Sequence, residues 1–214
     1  MKKVLIVLAL AAAASFAFDS VRIEGLTTVP GTDDMLQYDD GTPYWIIYNA
    51  KAYGTWFDVQ DFSSSAGGFE VESVEWWFYH HSSLPWDTED ATLELWTSNE
   101  DNSAPGEKKK DDVVEGVVSD AATVVTYDPP IALPRNFWAV FNADAHSSEG
   151  YPSPLSDKTA NSTGVDHTFA TGDFLVWDPI TAAEINVDLI VRVSGNFTEA
   201  LDDESWGTIK GLYR

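Results

Sequence analysis

The chain has 214 residues, 44% hydrophobic and 13% aromatic, which is enough apolar surface to offset chain entropy, so its acidity does not signal disorder. The 35 Asp and Glu against 12 Lys and Arg give a net charge of −23, which argues against sequence-independent nucleic-acid binding and against anionic membrane surfaces, because phosphates would be repelled. The absence of cysteine excludes a thiol nucleophile, a thiolate metal site, a disulfide framework and a lipid-anchoring cysteine.

Residues 1–17 combine Lys2 and Lys3, an apolar run over 4–14, and Ser15-Phe16-Ala17 with small residues where a signal peptidase acts. They are expected to be a cleaved secretory signal of bacterial length, with Phe18 as the mature N-terminus. About 14 apolar residues fall short of the roughly 20 that span a bilayer, so no membrane insertion is expected after cleavage. Loss of Lys2 and Lys3 leaves 10 basic against 35 acidic side chains.

From there on the strand signals are strong and no window holds a helical period for three turns. Strands are expected at 44–49, 54–59, 69–81, 91–97, 113–119, 122–127, 136–142 and 172–177, all rich in aromatic and β-branched residues. In 91–97, Leu93 and Leu95 point inward while Glu94 and Trp96 point outward. In 185–193, Ile185, Val187, Leu189, Val191 and Val193 share one face and Asn186, Asp188 and Arg192 the other, the pattern of a half-buried strand. Turns are expected at 40–43, 63–68, 99–106, 128–130 and 151–154, where Gly, Pro, Asn, Asp and Ser gather. The segment 100–112, with Lys108, Lys109 and Lys110, is expected to be a solvated loop. Asp outnumbers Glu 22 to 13, which suits a loop-rich chain because Asp favours turns and Glu favours helices.

Short strands at close spacing without intervening helices indicate an all-β, two-sheet antiparallel β-sandwich of jelly-roll type. The expected organisation is a signal at 1–17, one sandwich domain over 18–198, and an acidic hinge with a short tail over 199–214. The tail ends in a basic amphipathic stretch, 205–214, that presents Trp206, Ile209 and Leu212. It is either a docked last strand or an assembly or sorting tag through which copies of the chain associate.

Tyr38-Asp-Asp-Gly41, then Phe137-Trp-Ala-Val-Phe141, Tyr151-Pro152, Trp177 and Asp188-Leu-Ile-Val-Arg192 follow one another in an order that resembles the jelly-roll β-sandwich modules of secreted bacterial proteins. The resemblance covers roughly residues 36 to 195. It implies a β-sandwich that precedes a C-terminal sorting segment, to which 205–214 is similar. These modules have no common ligand, and no catalytic domain is expected beside the module here.

His80 and His81 are adjacent on one strand, so their side chains point to opposite faces and do not share a metal through that strand. His146 and His167 fall in no catalytic motif. Among so many acidic residues, adjacent pairs such as Asp33-Asp34 and Asp111-Asp112 arise by chance, and a glycosidase is a minor alternative. Asp39 and Asp40, in the tight turn before Gly41, are the candidate ligands for a structural Ca2+, against a plain turn in which they bond nearby N–H groups. Asp87, Glu89 and Asp90 form a second acidic turn.

Trp86 lies in a polar loop, Trp96 on a polar strand face, and Tyr151 opens a Pro-rich loop. They are candidates for a shared sugar-stacking surface, because flat rings bury the apolar face of a pyranose; packing under loops is the plainer alternative. Trp138 and Trp177 are expected to be buried, with at least one of Trp76 and Trp77. The expected function is therefore a secreted, non-catalytic binding module at or outside the cell surface, with a polysaccharide or cell-surface partner. The alternative is a structural or assembly subunit of a surface layer, matrix or filament.

Overall fold

The apolar periodicity expected over 69–81 appears as a strand over Ala66–Tyr79, the longest among the described residues. The computed structural model describes residues 19–22, 35–80, 90–117, 119, 121–145, 152–157, 166–182 and 185–199. Its strands are β1 (Asp19–Arg22), β2 (Met35–Leu36), β3 (Trp45–Tyr48), β4 (Ala52–Asp58), β5 (Ala66–Tyr79), β6 (Ala91–Ser98), β7 (Pro105–Val114) and β8 (Ala122–Pro134). There follow β9 (Asn136–Asn142), β10 (Ser153–Ser156), β11 (Thr168–Thr171), β12 (Asp178–Pro179), β13 (Thr181–Ala182), β14 (Ile185–Asn186) and β15 (Val191–Glu199). The described helical structure is limited to two single 3-10 turns, Val59–Asp61 and Ala143–Ala145.

One sheet has the order β1-β3-β10-β5-β15-β2, with β8 also paired to β5, and the other runs β12-β11-β4-β9-β6-β7. All pairings are antiparallel, and β13 and β14 form a separate two-stranded ribbon. The result is the two-sheet antiparallel sandwich expected from the sequence. Between the sheets, Val71, Val74, Trp76 and Phe78 of β5 meet Phe57 of β4, Leu93 and Leu95 of β6, and Phe137, Ala139 and Phe141 of β9. Phe57 stacks on Phe137 at 5.2 Å and Trp76 on Phe78 at 6.1 Å, so this core is largely aromatic. Trp77, on the opposite face of β5 from Trp76, covers a smaller cluster of Ile46, Leu155 and Ile190.

Five expectations about local structure are corrected. The lysine-rich stretch expected as a solvated loop is β7, an edge strand, whereas the strand expected over 113–119 ends at Val114. Its charges pair along the edge, Lys108 with Glu94 at 2.7 Å, Lys109 with Glu107 at 2.7 Å and Lys110 with Asp112 at 3.1 Å. Strand periodicity in a sequence reports burial of one face, and an edge strand exposed on both sides carries no such signal.

The turn expected at 128–130 lies inside β8. Val71 faces Ile131 and Ser73 faces Thr126, so residues 127–130 bulge opposite Glu72 and the strand continues beyond them.

The strand expected at 172–177 is a loop. Thr171 Oγ1 accepts from the N–H groups of Asp173 and Phe174 at 3.3 and 3.0 Å, and Asp173 Oδ1 accepts from those of Leu175 and Val176 at 2.8 and 3.0 Å. These local bonds take the backbone donors that a sheet ladder would need, and Phe174 turns the chain at φ +63°.

The single half-buried strand expected at 185–193 is broken: β14 ends at Asn186, Leu189 makes an isolated bridge to Ser156, and β15 begins at Val191. Val187, Leu189, Val191 and Val193 do reach the main core, but Asp188, Ile190 and Arg192 on the other side are buried as well.

Candidate functional site

Burial of charge, not exposure, marks the first unusual place in the molecule. Arg192 stands opposite Glu75 on the β15–β5 ladder, on the face turned away from the main core. The segment between β2 and β3 folds over it and delivers Asp39. Arg192 Nη2 donates to Asp39 Oδ1 at 2.9 Å, Nε donates to Oδ2 at 3.4 Å, and Nη1 reaches Glu75 Oε1 at 3.5 Å. The side chains of Arg192 and Asp39 have no solvent exposure.

Asp39 Oδ1 also accepts from the N–H of Gly41, whose φ of +73° closes the turn and suits glycine. Beside it, Asp157, fully buried, accepts from the N–H groups of Asp188 at 2.9 Å and Asp40 at 3.0 Å. Asp188 is 2% exposed and its Oδ2 has no hydrogen-bond partner among the described residues. Burial, and then the charges of Asp157 and Asp39, push the Asp188 carboxyl up to about 7. The Asp39 carboxyl is also raised, because burial outweighs the attraction of Arg192.

The calcium expectation at Asp39 and Asp40 divides accordingly. Asp39 spends its carboxylate on the Arg192 guanidinium, which sits where a cation would, while Asp40 accepts from the N–H of Thr42 at 2.8 Å as a plain turn residue does. Among the described residues no three or more His, Asp or Glu side chains gather as a metal-holding group. In the second acidic turn, Asp90 accepts from the N–H of Gly116, and Asp87 and Glu89 lie outside the described residues.

A second concentration of unusual residues covers the outer face of the other sheet. Trp56, Trp138 and Trp96 stand in register on β4, β9 and β6, one beside the next. Each ring is already engaged. Trp138 is fully buried, with Trp177 at 5.5 Å and Phe169 at 5.1 Å, and donates to Ser98 Oγ. Trp56 stacks on His167 at 5.1 Å.

Trp96 points outward as expected, but its indole N–H donates to Glu94 at 2.8 Å and the Lys108 ammonium sits 5.0 Å from its ring centroid. It is a packed ring, not an open platform. Glu94, also expected to point outward, does so and is nevertheless only 4% exposed, because Lys108, Trp96 and Asn142 surround its carboxylate. Trp138 and Trp177 are buried as expected, although on this outer face and not between the sheets.

Trp177 closes the loop that follows β11, and just before it Phe174, Leu175 and Val176 are exposed at 39%, 81% and 56%. Three consecutive apolar side chains thus project from a turn whose backbone is fixed by Thr171 and Asp173.

His167 packs between Tyr38, at 3.5 Å, and Trp56, and Asp61 accepts from the Tyr38 hydroxyl at 2.7 Å and lies 3.6 Å from His167 Nε2. Burial holds the imidazole below its ordinary pKa despite these carboxylates, and the Tyr38 hydroxyl is raised, first by burial and then by Asp61. The ring reads as a packed histidine between aromatic plates. His80 follows the end of β5 as expected, its N–H donating to Ser119 Oγ.

Trp86, Tyr151, Trp206, Ile209 and Leu212, as well as His81 and His146, lie outside the described residues. Neither the pairing of Arg192 with Asp39 nor the burial of Asp157 is legible in the sequence; the signal it does carry is a pair of charges, Asp188 and Arg192, inside an otherwise apolar stretch. Among the described residues no helix is long and apolar enough to cross a membrane. Comparison with protein-family models, with curated proteins and with solved structures finds no match to this chain.

Proposed function

We propose that this chain is an exported, non-catalytic β-sandwich that acts by contact at or outside the cell surface, with Phe174, Leu175 and Val176 as the contact tip. The observation that carries the reading is the exposure of these three side chains on a turn held by four hydrogen bonds to Thr171 and Asp173. A tip of fixed shape loses little entropy when it docks, and each such side chain contributes about 1.5–3 kcal/mol on full burial. The carboxylate cluster supports the non-catalytic part: Asp157 and Asp188 are sealed from solvent, where no substrate reaches them. Sugar stacking through Trp96 is not favoured, because Lys108 covers its ring.

The test is retention of the purified chain on the producer's cell envelopes and on insoluble polysaccharides, with calcium and with chelator. Leu175→Asp is expected to reduce retention at least tenfold while leaving the thermal melt unchanged. Equal retention of this variant and the parent chain overturns the assignment of the tip.

A further inference from the structure

The sandwich has two edge strands on the side where the chain passes from β7 to β8, and they differ in one respect. β7, the edge of its sheet, carries six charged residues in succession, Glu107 to Asp112. Such charges are how β-proteins keep an edge from pairing with another chain. β8 pairs with β5 on one side, and among the described residues nothing pairs with its other side. Its second half is guarded by Pro129, Pro130 and Pro134, which offer no N–H. Its first half, Ala122-Thr-Val-Val-Thr-Tyr127, has neither charge nor proline and is rich in strand-forming residues.

We propose that two copies of the chain join through this half of β8, antiparallel about a two-fold axis at Val124, so that their β8-bearing sheets become one. Burial alternates along the segment: Ala122, Val124 and Thr126 are exposed, Thr123 and Tyr127 are buried and Val125 is half-buried. With the axis at Val124, that residue faces its own copy and Ala122 faces Thr126 on the solvent side, while Thr123 faces Val125 on the inner side. Every residue meets one from the same face of the sheet, as antiparallel pairing requires; a slip of one residue would set exposed positions against buried ones.

Val124, 51% exposed in the single chain, loses its solvent to the same residue of the second copy. The absence of acidic side chains leaves this segment open to a second copy. A chain of net charge −23 repels itself, and these six residues present no ionisable carboxylate to the mate. The dimer is isologous, the commonest closed symmetry, and it uses the same β8 edge of both copies, so this contact stops at two. The inference gives the assembly reading a specific surface and is independent of the Phe174–Val176 tip.

The test is sedimentation velocity of the purified chain at low and moderate salt. The dimer fraction is expected to rise with concentration and with salt, which screens the repulsion between the copies. Val124→Lys, which installs the guard that β7 already has, is expected to give a monomer at all salt concentrations with an unchanged melt. The chain has no cysteine, so a single introduced thiol reports without background. Val124→Cys is expected to yield one cross-linked dimer on mild oxidation, and Val113→Cys, 62% exposed on β7, is expected to yield little. A monomer in moderate salt, a dimer that survives Val124→Lys, or equal cross-linking at both positions overturns the proposal. Leu175→Asp should leave the dimer intact, so failure at the tip and failure at the edge are read separately.

Discussion

Arg192 and Asp39 are 153 positions apart in the chain and form an ion pair with no solvent exposure on either side chain, at 2.9 Å. The pair fastens the segment between β2 and β3 onto β15, and it leaves one guanidinium to serve a neighbourhood that also holds Asp157 and Asp188. Removing a single partner strands a charge in a dry site, which costs about 3–5 kcal/mol. Arg192→Leu is therefore expected to lower unfolding free energy by that order in a urea titration. Arg192→Leu combined with Asp39→Leu should recover part of the loss, because the double variant buries no unpaired charge at either position. If the double variant is less stable than Arg192→Leu alone, Asp39 matters mainly through its bond to the Gly41 N–H.

Asp188 makes stability depend on pH. Its carboxyl titrates near 7 in the folded protein and near 3.8 when unfolded, so between those values the folded chain holds a proton that the unfolded chain has released. Stability contributed by that proton is present at acid pH, falls as pH rises through the window, and is gone above about 7. Burial of Asp39 acts in the same direction. The unfolding free energy is expected to be higher at pH 5 than at pH 8, by an amount on the order of a few kcal/mol. Asp188→Asn should flatten the profile; a variant with the parent's slope would assign the effect to other groups.

Gly54 makes room for the aromatic outer face. A Cβ at this position would lie 3.0 Å from Trp177 Cζ3, 3.2 Å from Trp138 Cε3 and 3.3 Å from Val140 Cγ2. The indoles cannot yield inward, because Trp138 is fully buried, so Trp177 is the group that must shift. Gly54→Ala is expected to cost about 1–3 kcal/mol and to red-shift tryptophan emission as Trp177 gains solvent. An unshifted spectrum at parental stability would mean that the loop over Trp138 moves without loss.

A net charge of −23 repels itself, and salt screens repulsion between exposed charges. Moderate salt is expected to raise the melting temperature, since compaction brings like charges together. The same experiment on Arg192→Leu should show a similar rise, because the lost pair is buried and little screened. A melting temperature that ignores ionic strength would show that repulsion among the acidic side chains contributes little to stability.

Where burial alternates along a strand, the sequence was readable. Leu93 and Leu95 face the core, Trp76 and Trp77 divide between faces, and 136–142 is a strand from end to end. Val187, Leu189, Val191 and Val193 share the main core although the strand expected to carry them is interrupted. Where local chemistry or an edge position sets the backbone, it was not. The apolar residues Phe174 to Val176 read as a strand until the side chains of Thr171 and Asp173 claim their N–H groups. Lys108 to Lys110 read as a loop because an edge strand need bury nothing.

The amino-acid pattern alone determined the all-β class, the two-sheet sandwich and the inward faces of its regular strands, since each follows from hydrophobic spacing over a few residues. Only the tertiary structure decided which polar residues are sealed inside and which apolar ones are left in water. Arg192 with Asp39, Asp157 with Asp188, and the roof of Trp177 over Trp138 all depend on what lies across a sheet or over its face. Such neighbours come from distant parts of the chain, and no local period records them.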